Sequence, residues 1–156
     1  MSAEATAAVD VRGAGPGDLP ALAALFDGYR VFYGQPSDPA RAGAFLDERL
    51  RRGDSHLLLA VDGQGAALGF VQLYPSFTSV GTARIEILND LFVAAPARGR
   101  GVARALLRKA AADARGRGAV KLVLSTAVDN RPAQALYAAE GWERDSGFVE
   151  FAKVLP

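Results

Sequence analysis

The stretch that decides the fold is Leu88-Asn89-Asp90-Leu91-Phe92-Val93, followed closely by Arg98-Gly99-Arg100-Gly101-Val102-Ala103. The first part is an apolar run typical of a strand, and the second leads into an Ala/Leu-rich run typical of a helix. Gly99 and Gly101 allow the connecting backbone to approach a ligand closely. Backbone N–H groups at a helix start lack partners within the helix and lie at the positive end of its dipole. The order of strand, glycine-rich loop and helix therefore predicts a phosphate-binding cradle.

Length and composition restrict the classes of protein to consider. The 156 residues suit one domain, and 18 Lys and Arg against 17 Asp and Glu leave a net charge of +1, which disfavours a nucleic-acid partner. Cysteine is absent from the sequence, which excludes disulfides, thiolate metal sites and a cysteine nucleophile. We expect a disordered tail over residues 1–8 and a single domain over residues 9–156. Without a signal-peptide pattern or a membrane-length apolar run, the expected location is the cytoplasm, with no membrane partner.

Periodicity and turn residues predict the secondary structure. Helices are expected at residues 18–33, 38–53, 101–115 and 131–139, the last capped by Asn130 with Pro132 in its first turn. Strands are expected at residues 9–12, 56–61, 67–74, 83–93 and 119–126, with Pro75 ending the third, and one or two closing strands within residues 142–154. This order predicts an α/β fold in which four helices cover both faces of a mixed sheet of six or seven strands.

Three phosphate-binding patterns compete for the glycine-rich loop. The Walker pattern needs a Lys-Ser/Thr pair that the loop lacks, and the dinucleotide fingerprint needs a small residue where Arg104 stands. The third pattern, Gln/Arg-x-x-Gly-x-Gly/Ala, is matched by Arg98, Gly101 and Ala103. On these residues the chain resembles the GNAT superfamily of acetyl-CoA-dependent N-acetyltransferases.

Further blocks extend the resemblance. Asn130, Ala133-Gln134, Leu136-Tyr137 and Gly141-Trp142 follow the loop in the family's order and spacing. The strand beginning at Leu88 resembles the family's central strand. The first helix resembles that of the diamine and polyamine branch, through Phe26, Tyr29, Arg30, Phe32 and Tyr33.

The resemblance implies where acetyl-CoA binds. In the family two parallel strands splay apart, here residues 86–93 and 121–126, so that the pantetheine arm pairs with exposed strand backbone. The implied donor-binding residues are Leu91, Phe92 and Val93 on the strand, Arg98, Gly99, Arg100, Gly101, Val102, Ala103 and Arg104 around the pyrophosphate, and Asn130, Ala133 and Tyr137 from the later block.

The resemblance also suggests the catalytic groups. Tyr137 is the candidate acid, because a phenol beside the departing sulfur can protonate the thiolate, although a core tyrosine is the other interpretation. Glu86 and Asp90 are the candidate bases. They share a face on a regular strand, whereas a bulge would separate them, and either can instead form a structural ion pair. Polyamine-type relatives carry a Glu-Asp pair where this chain has Asn89-Asp90, which weakens the case for direct base catalysis.

The acceptor is expected to meet Tyr33, Asn89 and Asp90, whereas Tyr29 and Phe32 are assigned to the core. The implied reaction is direct transfer of acetyl from acetyl-CoA to a primary amine of a small cationic or amino-acid-like molecule. The alternatives are acetylation of a protein N-terminus or lysine, and a non-catalytic acyl-CoA-binding module. No metal is expected, because His56 is the single histidine. The apolar C-terminal residues 148–155 suggest a homodimer.

Overall fold

The computed structural model describes residues 8–156. Of the tail predicted over residues 1–8, residues 1–7 lie outside the described residues. The chain divides into two compact units, one ending at Ser125 and the other comprising Thr126–Pro156. That residues 9–156 form one domain stays a prediction. Within residues 8–156, no helix is long and apolar enough to cross a membrane.

The first unit contains a five-stranded sheet and three helices. The strands are β1 (Asp10–Gly13), β2 (His56–Val61), β3 (Ala67–Thr78), β4 (Ala83–Val93) and β5 (Ala119–Val123), and the helices are α1 (Leu19–Phe32), α2 (Pro39–Arg52) and α3 (Val102–Gly116). The strands lie side by side in chain order. All neighbours are antiparallel except β4 and β5, which are parallel and are connected through α3.

One face of the sheet packs against α1 and α2. Phe70 on β3 is fully buried, and its ring meets those of Phe26 and Tyr29 on α1 at centroid distances of 6.1 Å. Leu22 on α1 and Leu46 on α2 are also fully buried in this cluster. Because each helix repeats its apolar residues at three- and four-residue steps, one stripe of each faces the sheet.

The opposite face packs against α3. Gly69 precedes Phe70 on β3 and therefore points the other way, where an added Cβ would lie 3.4 Å from Leu106 of α3. The predicted inward residues of α3 are all buried: Val102, Leu106, Leu107 and Ala110. Helices thus cover both faces of the sheet, as predicted.

The prediction that Pro75 ends a strand is wrong, because β3 continues to Thr78. β2 pairs with β3 only as far as Leu73, whereas β4 pairs along the whole of β3 and aligns Pro75 with Glu86. Pro75 therefore lies where β3 has a strand partner on one side only, and a proline without an N–H is tolerated there.

The second unit contains helix α4 (Arg131–Ala139). As predicted, Asn130 caps it, since its side-chain oxygen accepts from the N–H of Ala133 at 3.3 Å. The closing strands predicted within residues 142–154 are absent, which makes the sheet five-stranded and not six- or seven-stranded. The β-favouring Phe148, Val149 and Phe151 are 81–91% exposed, so no buried sheet surface rewards the strand conformation there.

Candidate active site

The outer edge of β4 is open over its second half. β5 pairs with β4 through Ile87 and Val123 and then ends, while β4 continues to Val93. The half-buried Leu91, Phe92 and Val93 lie in this part. Among the strands of the described chain, only β3 pairs with this half of β4, so one edge offers backbone groups to an extended ligand.

The glycine-rich loop connects this open strand to α3. Gly99 and Gly101 have φ values of +76° and +77°, a conformation that L side chains rarely adopt, and Gly101 is the N-cap of α3. A Cβ at either position would meet no atom within 4 Å, so the space in front of the loop is open. The first helical bond is from the N–H of Ala105 to the carbonyl of Gly101, at 3.1 Å. The N–H groups of residues 102–104 therefore lie at the positive end of the helix.

Arg98 ties this loop to the open strand. Its Nε donates to the carbonyl of Val93 at 3.2 Å, and its guanidinium lies 5.8 Å from the centre of the Phe92 ring. Arg104 is exposed on the first turn of α3, and Arg100 is half-buried in the loop. Strand edge, loop and helix start are thus contiguous within the first unit, and that they bind the donor stays a prediction.

A β-bulge in β4 separates the two candidate bases. Gln72 pairs with Asp90 and Leu73 pairs with Leu88, which leaves Asn89 as the extra residue. Gln72 is two residues from Phe70 and therefore points to the same face, which packs against α1. Its partner Asp90 lies on this α1 face as well. Glu86 shares the α3 face with Leu88. Of the two arrangements left open by the sequence, the structure has the one with a bulge.

Asp90 is 2% exposed and is held by two amides. Gln72 Nε2 donates to Oδ2 at 2.6 Å, and Asn89 Nδ2 donates to Oδ1 at 2.8 Å. Burial raises the pKa of the Asp90 carboxyl above its usual range, and the hydrogen bonds from Asn89 and Gln72, together with the Tyr29 hydroxyl, oppose that shift. A buried carboxylate with a raised pKa can exchange a proton closer to neutral pH than an exposed one.

Glu86 is fully buried and forms a bidentate ion pair with Arg117. The two bonds, from Nε and Nη2 of Arg117, measure 3.0 and 2.7 Å. Both carboxylate oxygens are therefore engaged, on the face of the sheet opposite Asp90. This geometry favours the structural interpretation of Glu86.

Tyr29 of α1 lies on the Asp90 side of the sheet, and Tyr33 follows directly after the end of this helix. The Tyr29 hydroxyl donates to the backbone carbonyl of Asn89 at 3.2 Å, and its ring lies 4.9 Å from that of Tyr33. Tyr33 is 51% exposed, and its contact with an acceptor stays a prediction. The assignment of Phe32 to the core is wrong, because it is 59% exposed where α1 ends and the chain leaves the sheet.

In the second unit, the Tyr137 ring packs against Trp142 with centroids 5.9 Å apart, and the N–H of Trp142 donates to the Tyr137 carbonyl at 2.9 Å. Gln134 Nε2 donates to the carbonyls of Ala127 and Val128, at 3.1 and 3.2 Å. The residues of the later sequence block thus form one locally bonded cluster. In residues 8–156 no three His, Asp or Glu side chains group as a metal site would require.

Known proteins share both the sequence pattern and the fold of this chain. The model of the Acetyltransferase (GNAT) family matches residues 22–142. The chain belongs to the GNAT family. The N-acetyltransferase YhfO of Bacillus subtilis, described as uncharacterised, is 45% identical over 148 residues, which are 95% of this chain and 99% of YhfO. A crystal structure of a probable acetyltransferase is 42% identical with a TM-score of 0.88, covering 94% of this chain and 98% of that one. The protein is therefore an acetyltransferase of GNAT type.

A more distant structure shows the fold alone. It is an aminoglycoside N-acetyltransferase, AAC(6')-Iy, in complex with CoA, at 20% identity and a TM-score of 0.78, covering 98% of this chain and 99% of that one.

The sequence interpretation missed three residues of the Asp90 network: Ser55, Gln72 and the hydroxyl of Tyr29. Gln72 is a polar residue in the middle of the apolar run Gly69-Phe70-Val71-Gln72-Leu73, and it is fully buried. A buried glutamine requires hydrogen-bond partners, so this interruption was a detectable signal.

Proposed function

We propose that this GNAT acetyltransferase transfers acetyl from acetyl-CoA to the primary amine of a small cationic or amino-acid-like molecule. The observation that carries the proposal is the continuous path from the open half of β4 to the glycine-rich start of α3. An extended pantetheine amide chain can pair with a free strand edge as a peptide does, and a pyrophosphate suits a helix N-terminus. The CoA held by AAC(6')-Iy, which shares the fold, is consistent with this donor.

The proposed donor contacts follow from that path. Backbone groups of Leu91 and Val93 bind the pantetheine arm, because the N–H of Ala94 donates to the carbonyl of Leu68 on β3 and the alternation of the ladder turns the Phe92 backbone toward β3 as well. The N–H groups of residues 99–104 bind the pyrophosphate. Arg98 fixes the loop through the Val93 carbonyl, whereas Arg100 and Arg104 offer charge-assisted hydrogen bonds to phosphate oxygens. Asn130, Ala133 and Tyr137 are retained as donor contacts on the resemblance of their sequence block.

In the proposed reaction the neutral amine nitrogen attacks the acetyl carbonyl carbon, the C–S bond breaks, and the sulfur leaves as a thiolate. Asp90 takes up the proton of the amine through water, since its carboxylate is only 2% exposed. Its raised pKa suits a base that works near neutral pH. Tyr137 returns a proton to the thiolate. Direct transfer is favoured because the chain has no cysteine to carry the acyl group.

The acceptor is proposed to bind on the α1 side of β4. The exposed Tyr33 ring offers an aromatic face to a cation, and Asn89 offers an oxygen acceptor to its N–H groups, with the buried charge of Asp90 behind it. Thiol release from acetyl-CoA is measured with spermidine, cadaverine, lysine, glycinamide and a short peptide with a free N-terminus. Release with the small amines supports the proposal. Release with the peptide alone favours protein acetylation, and acetyl-CoA binding without release on any amine favours the non-catalytic module.

Gly101→Ala tests the donor site. The added Cβ strains a backbone at φ +77°, and the loop must shift to relieve the strain, so we expect the KM for acetyl-CoA to rise about tenfold. Gly118→Ala is a matched control, because Gly118 has φ +91° and equally open surroundings but follows the C-terminal end of α3. An equal rise in both variants would contradict the assignment of the loop.

A further inference from the structure

A chain of side-chain hydrogen bonds on the α1 face of the sheet includes Asp90. Ser55 Oγ donates to Gln72 Oε1 at 2.8 Å, Gln72 Nε2 donates to Asp90 Oδ2 at 2.6 Å, and Asn89 Nδ2 donates to Asp90 Oδ1 at 2.8 Å. Gln72 is fully buried, and Asp90 is nearly so. The chain thus extends from the segment before β2 to the bulge in β4.

The chemistry of the groups fixes the direction of this chain. An ionised carboxylate only accepts hydrogen bonds, so both amides must turn their NH₂ groups toward Asp90. The Gln72 oxygen then faces Ser55, whose hydroxyl donates to it. The Asn89 oxygen is left on the side away from Asp90, and Asn89 is exposed.

The bulge itself is held in place from α1. Tyr29 donates its hydroxyl to the backbone carbonyl of Asn89, while the ring of Tyr29 packs on Phe70. Both the backbone and the side chain of Asn89 are therefore fixed, so the direction of its amide oxygen is determined before a ligand arrives. Preorganised acceptors of this kind bind an N–H group without a reorganisation cost.

We infer that Gln72, braced by Ser55, is a positioning residue that locks Asp90 and, through it, turns the amide oxygen of Asn89 toward the amine acceptor. This inference rests on the proposed function. It assigns the contact with the acceptor to Asn89, and it gives Asp90 the role of a buried charge that orients Asn89 and receives the proton. Gln72 itself contacts neither substrate.

Gln72→Met tests the inference, because methionine has a similar length and volume but donates no hydrogen bond. The bond from Gln72 favours the ionised form of Asp90, so its loss raises the pKa of Asp90. The base must be ionised to accept a proton, and the acidic limb of kcat/KM therefore moves to higher pH. Loss of one charge-assisted hydrogen bond also loosens Asn89, for which we expect an increase of about tenfold in the KM of the best amine of the panel. The KM for acetyl-CoA stays unchanged.

Two other titratable groups face Asp90, and both stay neutral over the assay range. Burial is the main cause that raises the pKa of Tyr29 on α1, and it raises that of Tyr74 on β3 to about 12. Arg49 and Asp54 act on Tyr74 in opposite directions. A shift of the acidic limb of kcat/KM in the Gln72→Met variant is therefore attributed to a change in the pKa of Asp90.

The titration of Asp90 is also measured without catalysis, from its carboxyl carbon by NMR, with Asp90→Asn identifying the signal. Val71→Ala is the control for loss of core packing, because Val71 is fully buried beside Gln72 but points to the α3 face. Higher Asp90 pKa and higher amine KM in Gln72→Met, with neither change in Val71→Ala, support the inference. An active parent enzyme whose Gln72→Met variant keeps the parental pKa or amine KM overturns the inference alone. A parent that releases no thiol with any amine overturns the proposed function and the positioning role together, while the NMR titration still reports the network.

Discussion

Asn89 is the residue that most changes the interpretation of β4. Without the bulge at Asn89, Glu86 and Asp90 would lie on one face four residues apart, as a regular strand predicts. With it, Glu86 pairs with Arg117 on one face and Asp90 bonds to Gln72 on the other. The residue types of this site could be predicted from the sequence. The bulge could not, because it depends on pairing with β3.

Tyr137→Phe is expected to lower kcat about a hundredfold with little change in the KM for acetyl-CoA, because the phenol is the proposed proton donor to the thiolate. The ring still packs against Trp142, the chain's single tryptophan, so its fluorescence reports whether the local fold is retained. Steady-state kinetics of the variant make the measurement. A kcat equal to that of the parent, with unchanged fluorescence, would assign Tyr137 to packing alone.

Helices and strands were predictable where local residues mark their ends. β2 and α4 begin and end where predicted, because Gly53 precedes the first and Asn130 caps the second. β5 is shorter than predicted and ends at Val123. The closing strands within residues 142–154 were predicted from β-favouring residues, but strand formation requires a neighbouring ladder. The sequence of a segment indicates its strand propensity but not whether a neighbouring strand will pair with it.

The packing of α1 on β4 can be tested with two helical glycines. A Cβ at Gly28 of α1 would lie 3.0 Å from the Phe92 ring, whereas one at Gly43 of α2 would make an ordinary contact at 3.7 Å with Ala23. Gly43→Ala is expected to stabilise the protein by about 0.5–1 kcal/mol through helix propensity. Gly28→Ala is expected to lose this gain, because α1 must move away from β4, and to raise the KM for acetyl-CoA through Phe92.

Chemical denaturation measures the free energy of unfolding of both glycine variants. Equal stabilisation of the two would show that Phe92 yields without cost and would contradict a close packing of α1 on the open half of β4.

For the whole molecule, the C-terminal segment is the part on which the expected dimer depends. Phe148, Val149, Phe151, Val154 and Leu155 are 76–94% exposed. Apolar side chains so close together are unfavourable in water, and we expect a second copy of the chain to cover them. Light scattering after size exclusion is expected to give the mass of a dimer. Phe148→Ser with Phe151→Ser is expected to give a monomer.

Val80→Ser is the control for this experiment, because Val80 is fully exposed in the turn between β3 and β4 and lies outside the segment. A parent protein that is monomeric at every concentration would contradict the dimer.

The open half of β4 affects how readily the protein aggregates when no donor is bound. A strand edge with unpaired backbone groups is a template on which another chain can add. Bound acetyl-CoA would cover this edge, so the donor would protect the enzyme from aggregation as well as supply the acetyl group. Amide hydrogen exchange over residues 88–93 should slow when the donor binds, and light scattering on heating should begin at a lower temperature in its absence. The same edge to which the donor is proposed to bind would then be where the empty enzyme self-associates.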